Sequence, residues 1–135
     1  MSESENTALA RKWFEEVWNV RREATVHELL HPEGVGHMEG LEVRGAAEFL
    51  PARAALLDAL PDMRVTVEET VAQDDHVVVR WSVTATHGGA GLGFPATGKP
   101  VHFRGLTWLT FSGGRIVEGW DAWNQGKLLS ELQGR

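Results

Sequence analysis

The hydrophobic and polar positions divide the chain into a helical first half and a β-rich second half. Apolar residues at spacings of three and four predict an amphipathic helix over residues 7–20. A short second helix over 24–30 is predicted to end at Pro32, and a third over 46–60 is predicted to begin or kink at Pro51. An irregular segment between the second and third helices is indicated by Gly34, Gly36 and Gly40.

After residue 62 apolar and polar positions alternate, as they do in β-strands. Turn residues separate the predicted strands, so we expect two hairpins, one turning at Asp74-Asp75 and one at Ser112-Gly113-Gly114. The predicted elements are strands over 63–72, 76–87, 101–111 and 115–123, a glycine-rich loop over 88–98, and a short closing helix over 126–132.

The order of these elements, with helices first and antiparallel strands afterwards, predicts an α+β fold in which the helices cover one face of a curved antiparallel sheet. Strands of about ten residues twist strongly enough to enclose a space. We therefore expect a half-barrel whose interior binds a small molecule. At 135 residues the chain has the length of one domain, so residues 1–135 are predicted to form a single domain.

Composition narrows the classes of function. The net charge of −6, with no basic run, argues against nucleic acids and acidic membrane surfaces as partners. The chain has no cysteine, which excludes disulfides, thiolate nucleophiles and cysteine-based zinc sites. It also has no tyrosine, which excludes mechanisms that polarise a carbonyl with a phenol. The six tryptophans favour a flat, unsaturated ligand, because indole faces stack well on conjugated rings.

The N-terminal segment is acidic and amphipathic and lacks the features of a signal peptide. No apolar stretch is long enough to predict a membrane span. From these two observations we predict a cytoplasmic protein without a membrane partner.

One motif matches the H-E-x-x-H-x-x-G-x-x-H pattern of metzincin zinc proteases: His27, Glu28, His31, Gly34 and His37. In that pattern the three histidines bind zinc, and the glutamate acts as general base on the metal-bound water. The context argues against this interpretation, because the proline directly after His31 disfavours helical geometry there. The strands also follow the motif, whereas these proteases build their sheet before it. A zinc hydrolase is therefore the least favoured hypothesis.

The last predicted strand carries a second candidate site. Alternation places Asp121 and Trp123 on one face of the strand and Trp120 on the other. If the Asp121 face lines an apolar cavity, desolvation raises the pKa of this carboxyl and makes it a better general acid or base near neutral pH. The alternative is an exposed aspartate paired with Arg80 or Arg104.

The order and spacing of several short segments resemble the SnoaL-like polyketide cyclase family over nearly the whole chain. The segments are residues 31–33 (HPE), 61–65 (PDMRV), 79–81 (VRW), 86–88 (THG), 93–99 (GFPATGK), 114–118 (GRIVE) and 120–121 (WD), together with the leucine-rich final helix. No single segment is specific, but their combination is.

The resemblance implies a cone-shaped α+β barrel, of the type shared by nuclear transport factor and ketosteroid isomerase, that often dimerises through its sheet. A homodimer is therefore expected. It implies catalysis without a cofactor or metal on an aromatic polyketide ester. In the family an acidic residue, matched here by Asp121, takes a proton from an activated carbon, and the enolate closes a ring by intramolecular aldol addition. The expected partner is a hydrophobic, aromatic or polyketide-like small molecule.

Other pocket positions depart from the family. The positions that match its pocket histidine and glutamine hold Thr107 and Gly105, and its asparagine falls near Gly36 and His37. His37 is the candidate replacement for that asparagine as a hydrogen-bond donor. His87, at a strand end, lies either near the pocket mouth or exposed at the loop edge. The missing polar groups favour, as an alternative, a non-catalytic binding protein for a hydrophobic small molecule. The candidate substrate contacts are His37, Trp123, Thr107, Phe103, His87 and Trp18.

Overall fold

The computed structural model describes residues 1–134, which form four α-helices, one π-helical segment and six strands. In chain order these are α1 (Glu3–Trp13), the π-helical segment (Phe14–Val20), α2 (Glu23–Leu29), β1 (Leu30–Met38), β2 (Leu41–Arg44), α3 (Gly45–Ala59), β3 (Arg64–Gln73), β4 (His76–Thr86), β5 (Pro100–Ser112), β6 (Arg115–Trp123) and α4 (Gln125–Leu132). The predicted α+β class is confirmed, although two strands precede the third α-helix.

The first helix runs from a capped start into the π-helical segment. Ser2 and Glu5 form a capping box, in which the Glu5 backbone N–H donates to Ser2 Oγ at 3.0 Å. The predicted helix over 7–20 is therefore helical throughout, but it starts earlier and its last seven residues are π-helical. Asn19 ties this segment to β3, because its side-chain amide both donates to and accepts from the backbone of Val65 at 2.8 Å.

All six strands belong to one open sheet with the order β2-β1-β6-β5-β4-β3. Both predicted hairpins are confirmed, since β3 pairs antiparallel with β4 and β5 with β6. The first hairpin turns through Asp74 with φ of 53°. The second turns through Gly113 and Gly114, whose φ angles of 58° and 79° suit glycine and a tight hairpin turn.

The segment predicted to be irregular forms β1 and β2. The four predicted strands pair antiparallel, whereas β1 pairs in parallel with β6 and makes the sheet mixed. The glycines of this segment permit a close approach of the two strands instead of marking a loop. A Cβ atom at Gly34 would lie 2.8 Å from the backbone oxygen of Ile116 on β6, which leaves no room for a side chain.

The helices cover only one face of the sheet, and the core lies between them and this inner face. The outer face exposes large apolar side chains, with Trp108 and Trp120 at 50% and 52% exposure. Within residues 1–134, no helix is both long enough and apolar enough to cross a membrane. The inner face of the sheet is therefore buried against the helices, whereas the outer face presents an exposed apolar surface.

Candidate active site

A cavity of about 310 Å³ lies between the helices and the inner face of the sheet. This volume is near the lower end of the range for small-molecule sites, about 300–1,000 Å³. Most of the wall is apolar, and its aromatic residues are Trp13, Phe14, Trp18, Phe49, Trp81, Phe103 and Trp123. Its polar side chains are Glu39, Thr107, Asp121 and Gln125. The cavity can therefore enclose a small, flat and mostly apolar molecule.

Asp121 points into this cavity and is held by a chain of hydrogen bonds. Its register partner on β5 is Thr107, whose hydroxyl donates to Asp121 Oδ1 at 2.6 Å. The indole Nε1–H of Trp81 on β4 donates in turn to Thr107 Oγ1 at 2.9 Å. Because an indole N–H can only donate, it directs the threonine proton towards the carboxylate. This arrangement occupies Oδ1 and leaves Oδ2 for a ligand.

The surroundings of Asp121 favour its protonated form. Burial raises the pKa of Asp121, the hydrogen bond from Thr107 lowers it in part, and the nearby Glu39 carboxylate raises it. Arg80 pairs instead with a glutamate of β3 at 3.7 Å, and Arg104 occupies an exposed position on β5. The structure thus places Asp121 on the cavity wall and not in a surface ion pair with either arginine.

Close packing beside Asp121 accounts for the departure at Gly105. Phe103 and Trp123 stack with ring centroids 4.6 Å apart, and Trp81 meets them edge-on at 6.1 and 6.4 Å. A Cβ atom at Gly105 would lie 2.7 Å from Trp81 Cζ2, from Trp123 Cβ and from the backbone oxygen of Ala122. These three atoms therefore occupy the space that a polar side chain at this position would need.

Sequence reasoning missed two of the polar side chains in the cavity. Glu39 lies in the turn between β1 and β2, where its Oε1 accepts from the backbone N–H of Trp123 at 3.1 Å. Gln125 begins α4. No periodicity pointed to either residue, because each lies outside the strands. Trp81 was detectable, since the alternation of β4 places it on the same face as Val79.

Five of the predicted site residues line the cavity: Asp121, Thr107, Phe103, Trp123 and Trp18. His37 does not, because β1 sets it opposite Trp120 on the outer face of the sheet. Its ring stacks on Trp120 at 3.6 Å, and its Nε2 lies 2.9 Å from a carboxylate oxygen of Glu118. The expectation that it donates into the pocket came from its position near the family's asparagine, and we leave His37 out of the proposed site.

His87 is also placed away from the cavity, neither at its mouth nor exposed. The side chain is fully buried, and its Nδ1 accepts from the backbone N–H of Thr97 at 3.1 Å. The ring packs beside Phe94 with centroids 5.1 Å apart. Its neighbours belong to the loop that follows β4, so this imidazole holds that loop in place.

The residues of the zinc-protease pattern do not converge. Helix α2 ends at Leu29, so His31 lies on β1, where its Nδ1 accepts from a backbone N–H at 3.0 Å. Glu28 is bound by Arg22 at 2.9 Å. Across residues 1–134, no group of three or more histidine, cysteine, aspartate or glutamate side chains is arranged to hold a metal ion.

The family model of the SnoaL-like polyketide cyclases matches residues 8–132. The chain belongs to this family. AclR from Streptomyces galilaeus, assigned as a hydroxylase, is 31% identical with a TM-score of 0.85, over 99% of this chain and 84% of AclR. IdmH from Streptomyces antibioticus, assigned as a polyketide cyclase, is 27% identical with a TM-score of 0.80, over 95% of this chain and 98% of IdmH. No curated protein matches this chain.

The SnoaL-like fold extends to more distant structures. A Jannaschia sp. CCS1 protein, assigned as a SnoaL-like polyketide cyclase, has a TM-score of 0.91 at 22% identity, over 98% of this chain and 94% of that one. At that identity the similarity shows the fold alone. The predicted family and fold class are thereby confirmed. Because the relatives are assigned more than one reaction, the chemistry of this SnoaL-like protein has to be argued from its own site.

Proposed function

We propose that this SnoaL-like protein catalyses a cyclase-type proton transfer on an aromatic, polyketide-like ester, with Asp121 as acid and base. The observation that carries the proposal is a carboxylate buried on the wall of an apolar cavity, where burial raises its pKa. A raised pKa makes a carboxylate a stronger base towards a carbon acid. A methylene between two carbonyls is acidic enough for one well-placed carboxylate to deprotonate it.

The proposed reaction has three steps. Oδ2 of Asp121 takes a proton from the activated carbon, because Oδ1 already accepts a hydrogen bond from Thr107. The resulting enolate carbon attacks a carbonyl carbon of the same molecule, forming the ring bond while the carbonyl electron pair moves onto oxygen. The alkoxide then takes the proton back from Asp121. The substrate isomerises, so the reaction balances without an oxidant, a reductant or a second substrate.

Gln125 has a supporting role in this proposal. Gln125 lines the same cavity as the carboxylate. An amide N–H directed at the enolate oxygen stabilises the charge that develops there. Gln125 thus supplies a donor in place of the polar group that Gly105 lacks.

A non-catalytic binding protein is the second candidate. It is favoured by Gly105 and Thr107, where the resemblance placed polar family residues. In that case the apolar cavity binds a hydrophobic molecule, and Asp121 contributes at most a polar contact to it. Binding without proton transfer distinguishes this function from the first.

The test follows a carbon-bound proton directly. Methyl 3-(2-naphthyl)-3-oxopropanoate is an aromatic β-keto ester, and deuterium exchange at its C2 in D₂O is measured by NMR, with the buffer rate subtracted. We expect Asp121→Asn to lower the exchange rate by about 10²–10⁴-fold while tryptophan fluorescence still reports binding. Asp75→Asn, in an exposed turn, is the matched control and keeps the rate. An undiminished rate in Asp121→Asn removes the carboxylate from the mechanism, and binding by the unsubstituted protein without exchange favours the second candidate.

We also propose a homodimer that forms through the outer face of the sheet. Five side chains lie in register across the strands β3, β4, β5, β6 and β1, and we call them the tryptophan row: Val71, Val78, Trp108, Trp120 and His37. Val71 is 62% exposed and both tryptophans are about half exposed. A continuous apolar surface of this kind is typical of an interaction site, and a second copy offers the same surface in return.

The cytoplasmic location remains a prediction, tested by cell fractionation.

A further inference from the structure

A second, smaller cavity adjoins the first at Asp121. Its volume is about 60 Å³, and Thr107 and Asp121 line both cavities. Apart from these two side chains, its wall is formed by apolar residues and glycines, among them Leu30, Val43 and Leu109. The carboxylate thus lies between a large aromatic chamber and a small apolar one.

Two glycines paired across neighbouring strands line the small cavity. Gly36 on β1 lies directly opposite Gly119 on β6, and Leu109 and Val43 flank them in the same row. A Cβ atom at Gly119 would lie 3.2 Å from Leu109 Cδ2, and one at Gly36 would lie 3.1 Å from Val43 Cγ2. The side chains of Leu109 and Val43 therefore lie close over the two glycines and together with them bound the small cavity, two register rows from the row that holds Asp121.

We propose that the small cavity is a subsite for a short alkyl substituent on the substrate carbon that Asp121 deprotonates, or on the carbon next to it. This inference rests on the proposed function, because it takes the reacting carbon to lie at Asp121. A substrate carbon held at the carboxylate faces both cavities. The aromatic portion of the substrate then occupies the large cavity, and the substituent on that carbon occupies the small one. The small cavity has about 60 Å³ against about 310 Å³ for the large one, so it suits a short group and not a second ring. We therefore take methyl and ethyl as groups that fit it and butyl as a group that exceeds it.

The test uses a series of probes that differ only in this substituent. The probes are methyl 3-(2-naphthyl)-3-oxopropanoates with hydrogen, methyl, ethyl or butyl at C2, and their Kd values are measured by quenching of tryptophan fluorescence. Each carbon moved from water into an apolar site strengthens binding by about fourfold. We expect affinity to rise from hydrogen through methyl to ethyl and to fall for butyl.

Filling the cavity from the protein side gives the decisive comparison. Gly119→Ala is expected to abolish the gain for methyl and ethyl, while the unsubstituted probe binds within about twofold of its original Kd. Gly126→Ala, on α4 and outside the small cavity, is the matched control and should show the same change of affinity with substituent length as the native protein. Circular dichroism checks folding, and Gly36→Ala replaces Gly119→Ala if the latter does not fold.

The outcomes separate this inference from the proposed function. Affinity that is independent of chain length, an unchanged series in the alanine variant, or no binding by any probe overturns the subsite. If the preference for ethyl is present but the C2 proton does not exchange, the subsite stands and the proposed proton transfer fails. If exchange occurs with a flat affinity series, only the subsite fails.

Discussion

Replacing Thr107 with valine removes the hydroxyl that connects Trp81 to Asp121 and keeps the shape of the side chain. In the native protein this hydroxyl accepts from the Trp81 indole at 2.9 Å and donates to Asp121 at 2.6 Å. Trp81 is only 6% exposed, so its N–H has little access to water once the partner is gone. We expect the main cost of Thr107→Val to come from this unpaired donor.

The magnitude follows from the burial of that donor. A buried donor left without a partner costs about 1–3 kcal/mol, out of the 5–15 kcal/mol that typically stabilises a domain. Thr107→Val should therefore fold with a measurably lower free energy of unfolding. Thr107→Ser keeps the hydroxyl and loses one methyl group, which costs about 0.8 kcal/mol. Because Thr107 donates the hydrogen bond that lowers the pKa of Asp121, valine but not serine should raise that pKa further.

Urea denaturation of a double-mutant cycle with Trp81→Phe measures the interaction itself. Phenylalanine has no N–H to leave unpaired, so Thr107→Val should cost about 1–3 kcal/mol less in that background than in the native protein. The pH dependence of deuterium exchange on the naphthyl keto ester gives a second measurement. The acidic limb of this pH profile should move to higher pH in Thr107→Val and not in Thr107→Ser. A coupling energy below about 0.5 kcal/mol, together with unchanged pH profiles, would refute the hydrogen-bond chain.

Three further predictions concern separate parts of the molecule. Burial raises the folded-state pKa of Asp121, so its ionisation opposes folding. The free energy of unfolding of Asp121→Asn, relative to that of the native protein, should therefore increase as pH rises above the ordinary aspartate pKa of about 3.9. Denaturation at several pH values tests this, and a pH-independent difference contradicts it. Gln125→Leu should lower kcat for exchange by about 10²-fold with little change in KM, whereas a change in KM alone would make Gln125 a binding residue only. Trp120→Glu should convert the proposed dimer into a monomer in light scattering, and the equally surface-exposed Val20→Glu should not; a native monomer would refute the dimer.

Local patterns were sufficient for most of the fold. Alternation and turn residues located β3 to β6, because each of these strands pairs with a neighbour along the chain. The same reasoning failed for β1, whose partner is the distant strand β6 and whose glycines resemble a loop. A close approach between strands far apart in the sequence leaves no local periodicity. The face on which His37 lies was therefore also not predictable from the local pattern.

The candidate site was predictable only where it lies on strands. Alternation placed Asp121 and Trp123 on one face, and the structure has both on the cavity wall. Glu39 lies in a turn and Gln125 at a helix start, where the direction of a side chain depends on tertiary packing. The small cavity was equally hidden, because the register that brings Gly36 opposite Gly119 exists only in the folded sheet.

The central claim, that the ionised carboxylate of Asp121 takes the substrate proton, is tested most directly by titrating that carboxyl and the reaction together. Carbon-13 NMR of aspartate-labelled protein, with Asp121→Asn to assign the signal, gives the pKa of Asp121. The same samples give the pH dependence of C2 exchange. We predict that Asp121 titrates above the ordinary aspartate value of about 3.9 and that the exchange rate rises with the same midpoint. An ordinary pKa for Asp121, or an exchange rate that does not follow its ionisation, would contradict the account.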